Sequence, residues 1–428
     1  MRRLAGLAAV GALMLAPVIP AAAADPASSA AEFLAGALAD GTHMTSTSQG
    51  QTFTDPGLTA DVVIGLTAAG ADPAKAAAAT GWLEQNVASY VGPGAGKPST
   101  TGDKAGAAYA GALAKAALVA QVRGLSAADF GGRDLLAELA ARESGGRFSD
   151  DSTFGDYSNA ITQSLALIVQ QRSGKAPSAP AVAALVGLQC TDGGFRLAFP
   201  EQGKQEPCVS DNDATGYAVQ ALLPISPDQA GKALDYLVKV QQADGGFANT
   251  APAGAKPVIN ANTTGLAGAA LAAGGRSAQA DKAIAFLTGL QQSSGAVAYA
   301  AGTTDKTSEP RATSGALLAF AHVNLVTLTA AADSPSGAPS ASATSSAAPI
   351  SSAASAASTG LPAAQSSVAT PSSTSSAATI PASSMASSTA EPAGSGSSSA
   401  IWWIVGGIVV VLLVVGVVVM ARRRSARR

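Results

Sequence analysis

Aromatic residues make up only 4% of this 428-residue chain, and it holds just two histidines and two cysteines. Each scarcity removes a class of function. His43 and His322 are too few and too far apart to form a metal cluster by themselves, so each reads as an ordinary loop or core residue, and no metal or cofactor is expected. Few aromatics leave little material for a cavity that stabilises cations through ring faces. Charge is also sparse, at 13% of residues, and one stretch, Ile401 to Met420, carries none at all.

That uncharged stretch is long enough for one membrane-spanning helix, with Trp402 and Trp403 placed for an interfacial belt. Five arginines follow it in "ARRRSARR", which assigns residues 422–428 to a cytoplasmic tail after a span over 400–421. At the other end, "MRRLAGLAAVGALMLAPVIPAAAA" reads as a secretory signal peptide over residues 1–24. Residues 333–399 collapse to Ser, Ala, Thr and Pro, a composition that cannot bury enough apolar surface to fold, so they are expected to form a disordered stalk. The chain is thus expected at the cell membrane, single-pass, with its bulk outside. Taking Arg2, Arg3 and the five tail arginines from 26 basic residues leaves 19 against 28 acidic ones, which argues against a nucleic-acid partner. In an exported domain Cys190 and Cys208 are expected to form a disulfide, contributing roughly 3 kcal/mol in the chain-entropy model. The rival reading is a pair of zinc ligands.

The remaining residues, 25–332, are organised by repetition. "LVGLQCTDGGFRLA", "LVKVQQADGGFANT" and "FLTGLQQSSGAVAY" align on Gln189, Gln241 and Gln291, and "ARESGGRFSD" is a worn fourth copy. Before each glutamine, apolar residues recur in steps of three, such as Leu234, Leu237 and Val240, which marks one stripe of an amphipathic helix. The glycine pair then supplies a stop, and Phe195 or Phe247 folds back. A second column follows after a polar loop: "DATGYAVQALL", "NTTGLAGAALAAGG", "RATSGALLAFAHV", "DYSNAITQSLALIV" and "GLTADVVIGLTAAG" align on Thr215, Thr264, Thr313, Ser158 and Thr59, expected as helix-capping hydroxyls. "AGAAYAGALAKAALVAQVRG" is a sixth, weaker copy. Helix pairs in this number, with no strand signal between them, predict an all-α fold, an (α/α)6 toroid with small-residue helices inside.

On the residues Gln189, Asp192, Gly193, Gly194 and Phe195, and Gln241, Asp244, Gly245, Gly246 and Phe247, the chain resembles the prenyltransferase and squalene-cyclase repeat family over about Ala30 to Thr329. That resemblance implies the toroid and a central cavity, and leaves activity open among cyclases, protein prenyltransferases, thioester domains and cobalamin carriers. The cyclase motif, Asp-x-Asp-Asp, is present only as Asp211, Asn212, Asp213, Ala214, which makes Asp213 a weak catalytic candidate. A prenyltransferase zinc set and a thioester Gly-Cys-Gly-Glu-Gln are both missing, and a cobalamin carrier's second β domain has no place before the stalk. The reading is therefore a toroid on a stalk that binds a small molecule, a peptide or a wall component without catalysis, with an isoprenoid-processing enzyme or a cobalamin-carrier-like binding protein as the alternatives. Parallel inner helices would bring Asp156, Tyr157, Asp211, Asp213, Asn260, Asn262 and Arg311 to one mouth, walled by the loop from Thr191 to Asp213. Helix capping by itself is a strong rival explanation for Asp and Asn at most of these positions. Tyr157, Arg311 and Asn260 are the ones it is not expected to explain.

Overall fold

The computed structural model describes residues 25–330 apart from 49, 100–101, 202 and 252–254. The expected signal peptide, stalk, membrane span and tail lie outside the described residues. Among the described residues no helix is long and apolar enough to cross a membrane.

Thirteen α-helices follow in order among the described residues: α1 Pro26–Ala37, α2 Pro56–Ala68, α3 Pro73–Gln85, α4 Val87–Val91, α5 Ala110–Val122, α6 Leu135–Ala140, α7 Ala160–Arg172, α8 Ala179–Val186, α9 Asn212–Leu222, α10 Pro227–Val240, α11 Ala261–Ala273, α12 Ser277–Leu290 and α13 Glu309–Phe320. Two small antiparallel hairpins interrupt them, β1 Thr45–Ser48 with β2 Gln51–Thr54, and β3 Glu143–Ser144 with β4 Arg147–Phe148. These hairpins, with isolated bridges such as Gln189 to Phe195, depart from a purely helical expectation. The hairpins are short because each only reverses the chain between two helices.

Helices α2, α5, α7, α9, α11 and α13 each pack against the next, and α13 packs back on α2, so six helices close a ring. Their composition explains the placement. In α5 every residue from Leu113 to Ala120 is buried, as only a helix walled on all sides can be. Glycines let the ring draw tight: a Cβ on Gly265 of α11 would lie 2.0 Å from the Gly315 carbonyl of α13. The other helices form the outer layer and bury a single stripe each, in α10 Ala230, Ala233, Leu234 and Leu237. Closure of the outer layer joins the two ends of the domain, where the Gln291 Nε2 donates to the Pro26 carbonyl at 2.9 Å across 265 residues.

After α13 the chain turns under the ring. Arg172, at the end of α7, donates to the carbonyls of Leu325 (2.8 Å), Val326 (2.9 Å) and Leu328 (2.7 Å). The Leu325 N–H donates to Gln220 Oε1 of α9 at 2.7 Å, and the Ala330 N–H to the Val122 carbonyl of α5 at 2.8 Å. This strap therefore crosses the C-terminal ends of three inner helices and covers that side of the ring. The opposite side, where the inner helices begin, carries the long loops.

Candidate functional site

The repeated phrase turns out to be a joint. In each strong copy the glutamine amide donates twice: Gln189 to the Gly193 and Gln229 carbonyls, both at 2.9 Å, and Gln241 to those of Gly245 at 3.0 Å and Gln279 at 2.9 Å. The second acceptor in each pair belongs to the start of the next outer helix. Glycine is needed there because Gly193 and Gly245 have φ of +95° and +93°, and a Cβ on them would meet the carbonyls of Lys232 and Lys282 at 2.5 and 2.2 Å. The aspartate closes the turn, with Asp192 Oδ1 accepting from the Gly194 N–H at 3.1 Å and Asp244 Oδ1 from the Gly246 N–H at 3.0 Å. These residues hold neighbouring outer helices together.

The hydroxyl column serves the same joint, which corrects its assignment as caps. Thr215, Thr264 and Thr313 Oγ1 accept, each at 2.9 Å, from the N–H groups of Phe195, Phe247 and Val297 in the preceding turn. Thr59 does so for Met44. The caps stand four residues earlier: Asp55, Asp211 and Asn260 accept from the N–H groups of Leu58, Ala214 and Thr263. Asn260 is thus a cap after all, only 1% exposed. In the α7 repeat the cap is Asn159, so the matching column residue is Gln163 and not Ser158. Gln163 alone does both jobs, accepting from the Phe148 N–H and donating to the carbonyls of Gly146 and Ala181.

A different group of residues occupies the axis at the open side. Arg311, in the first turn of α13, pairs with Asp55 at 3.1 Å and with Asp61 of α2 at 3.8 Å. Asp61 also pairs with Lys115 of α5 at 2.7 Å. Tyr90 stands partly buried beside them, its phenol pushed well up by burial and then by the charges of Asp61 and Asp55. Tyr217 of α9 lies between this network and Asp213: burial raises its phenol strongly, Asp61 and Asp213 add to the rise, and Arg311 opposes it. Asp213 itself is pushed up to about 7 by burial first and by Asp211 second, against a hydrogen bond from Thr263. Its Oδ1 is buried without a partner. Tyr299 stands on the same side, its phenol raised by burial and then by Asp213. Asn262 lies against α13, its Oδ1 2.9 Å from where a Gly315 Cβ would be.

Of the residues named from sequence, Asp211, Asp213, Asn262 and Arg311 therefore belong to this axial group, with Asp211 serving as a cap within it. Asp156 and Tyr157 make a separate cluster. Asp156 pairs with Arg147 at 2.6 Å and accepts from the N–H groups of Asp150 and Ser158. Burial works to raise its carboxyl, but those donors together hold it below its ordinary value. The Tyr157 N–H donates to Asp150, and its side chain is 56% exposed. Sequence reasoning missed Asp55, Asp61, Tyr90, Lys115, Tyr217 and Tyr299. A signal existed for two of them, since Asp61 in "GLTADVVIGL" and Lys115 in "AGALAKAALVA" are lone charges in otherwise small or apolar helices.

Cys190 and Cys208 are joined in a disulfide with Cα atoms 5.5 Å apart, so they are not a pair of zinc ligands. Among the described residues no group of three His, Cys, Asp or Glu side chains is placed to hold a metal. A surface groove of about 610 Å³ lies on the outer face by the disulfide, lined by Gln189, Asp192, Gln229, Lys232 and Tyr236. It is open and built largely from the joint, so the axial group is the stronger candidate.

No family model matches the chain, and no curated protein matches it. Solved structures do. A protein from Actinoplanes is 16% identical, covers 70% of this chain and 98% of its own, and has a TM-score of 0.51. A type II terpene cyclase from Scytonema is 13% identical over 69% of this chain and 96% of its own, at a TM-score of 0.50. A glycosidase, 14% identical over 71% of this chain and 96% of its own, has a TM-score of 0.47. Identity at this level establishes the fold alone, which is a terpenoid cyclase-like toroid.

Proposed function

We propose that the toroid is a binding domain that admits a small molecule at its axial mouth, and that it is displayed outside the cell on the Ser/Ala/Pro-rich stalk and the membrane span. The observation that carries this reading is the convergence of Asp61, Lys115, Asp213, Tyr217 and Arg311, from four different repeats, on one end of the axis. Nothing in the repeat itself requires them, because the joints are complete without them. On the α2 side Lys115 and Arg311 neutralise Asp61 and Asp55, so there the mouth offers hydrogen bonds and phenol groups with little net field. Thermal unfolding of the full chain against a panel of small polar ligands tests the reading. A ligand that raises the midpoint in the wild type, and does so less in Tyr217→Ala, supports it. A panel with no stabilising member, or stabilisation untouched by Tyr217→Ala, overturns it.

One observation favours a second reading as an acid catalyst acting on an isoprenoid. Asp213 stands at the third place of the incomplete Asp-x-Asp-Asp run and retains its proton up to about pH 7. Incubation with squalene and prenyl diphosphates decides it: a cyclic product that is lost in Asp213→Asn establishes catalysis, and absence of product in the wild type removes it.

A further inference from the structure

The axial mouth is lopsided. Both of its cations are committed on one side, Lys115 to Asp61 and Arg311 to Asp55 and Asp61. Across Tyr217, on the α9 side, Asp211 and Asp213 sit together, and among the described residues neither has an ion pair with a lysine or an arginine. Asp211 is satisfied as the helix cap through the Ala214 N–H at 2.7 Å. Asp213, a partly buried residue, is left with a buried, unpartnered Oδ1. A turn about its Cβ–Cγ bond exchanges the two oxygens, so an incoming donor can use either.

The groups facing Asp213 define what would fit. Tyr217 is one helical turn further along α9, Tyr299 approaches from the loop after α12, Thr263 comes from α11, and Asp211 shares its own helix start. The only charged group among them is another carboxylate. An acid with one oxygen unpartnered, no cation paired to it and two tyrosines in its electrostatic reach is complementary to an organic cation, which supplies both the missing charge and a hydrogen-bond donor.

We propose, resting on the reading of the axial mouth as a binding site, that the Asp213 corner recognises the ammonium group of a small amine, with the Asp213 carboxylate as acceptor and the Tyr217 and Tyr299 side chains beside it. The corner's raised carboxyl then acquires a consequence. An ammonium that binds must be met by an ionised Asp213, so binding displaces the proton that burial retains there.

Calorimetric titration of the full chain with cyclohexylammonium and with cyclohexanol tests this. Nα-acetyl-lysine amide is run beside them, because a lysyl side chain presents the same ammonium group. Alkylammonium probes stay charged below about pH 9, so any pH dependence belongs to the protein. The expected result is amine affinity that rises roughly 50- to 100-fold from pH 5 to pH 8 as Asp213 ionises, with roughly half a proton released per ligand at pH 7. Both signatures should vanish in Asp213→Asn, and the tighter of the two amines tells a free amine from a lysyl group. The wild-type pH series keeps the test independent of whether the variant folds. Cyclohexanol binding as well as the amine, without pH dependence and weakened by Tyr217→Ala, would overturn amine recognition while leaving the mouth a binding site. Failure of every probe to bind would overturn amine recognition and would also count against the mouth.

Discussion

The joints between outer helices and the axial mouth are built on opposite plans. A joint is the same in each strong repeat: one glutamine with two carbonyl acceptors, one glycine with positive φ, one hydroxyl receiving one N–H. The mouth takes a different residue from each repeat, an aspartate and an arginine here, a lysine and a tyrosine there, and leaves one acid oxygen unsatisfied. Repetition in a toroid marks what every pair of neighbours needs, so a residue type that recurs at fixed spacing is architectural first. Function has to be sought where the copies disagree.

Breaking a joint should produce the largest effect. In Gly245→Ala the new Cβ meets the Lys282 carbonyl at 2.2 Å, and the backbone at φ of +93° resists a side chain in any case. Together these should cost about 3 kcal/mol or more and lower the thermal midpoint of the domain by 5 °C or more, to roughly match 2 °C per kcal/mol at this size. Gln241→Ala should follow at about 2–3 kcal/mol, from two lost hydrogen bonds and the Gly245 and Gln279 carbonyls left without them. Chemical denaturation read by circular dichroism checks both. A loss under 1 kcal/mol in either would mean that the repeated phrase is not what joins the outer helices.

The mouth should respond with the opposite sign. In the folded chain Asp213 holds its proton up to about pH 7, whereas in the unfolded chain it gives it up near pH 4. Between those values the folded state binds more protons than the unfolded one, so stability falls as pH rises through the window and stays lower above it. Asp213→Asn escapes this, and should be more stable than the wild type by on the order of 2 kcal/mol at pH 8, with the difference closing toward pH 4. Denaturation midpoints at the two pH values check it. A variant less stable than the wild type at pH 8 would show that the Asp213 carboxylate is paired in the folded chain.

The same contrast explains what the sequence disclosed. Gln189, Gln241 and Gln291 with their glycines were legible because selection for one geometry wrote one phrase several times, and the ring followed from counting the copies. Cys190 and Cys208 were legible because they stand alone. The hydroxyl column is visible in the sequence, but its role is not. Thr and Ser near a helix start suit a cap, and only the hydrogen bonds reveal that the cap lies four residues earlier and that Gln163, of another residue type, completes the column. The mouth was legible only in part, at Asp213, Asn262 and Arg311, because its members occur once each and are joined by closure of the ring. Asp55 and Arg311 are 256 residues apart, and nothing periodic connects them.

Tyr157 is where the contrast predicts almost nothing, and that makes it a sharp control. Capping is not expected to explain a tyrosine here, and the cap of α7 is Asn159. The Tyr157 side chain, however, is 56% exposed, and the bond that fixes its position comes from its backbone N–H to Asp150, which any residue would supply. Asp156 beside it spends its carboxylate on Arg147 and two backbone donors, so that cluster shapes the rim without reaching Arg311 or Asp61 through any described contact. Tyr157→Ala should therefore change stability by no more than about 0.5 kcal/mol, and should leave ligand stabilisation of the full chain unaltered where Tyr217→Ala reduces it. Thermal unfolding of the two variants, with and without the best ligand, provides the measurement. Equal loss of ligand stabilisation in both would extend the mouth across the rim to the α7 repeat, and would bring the sixth and last repeat into the site.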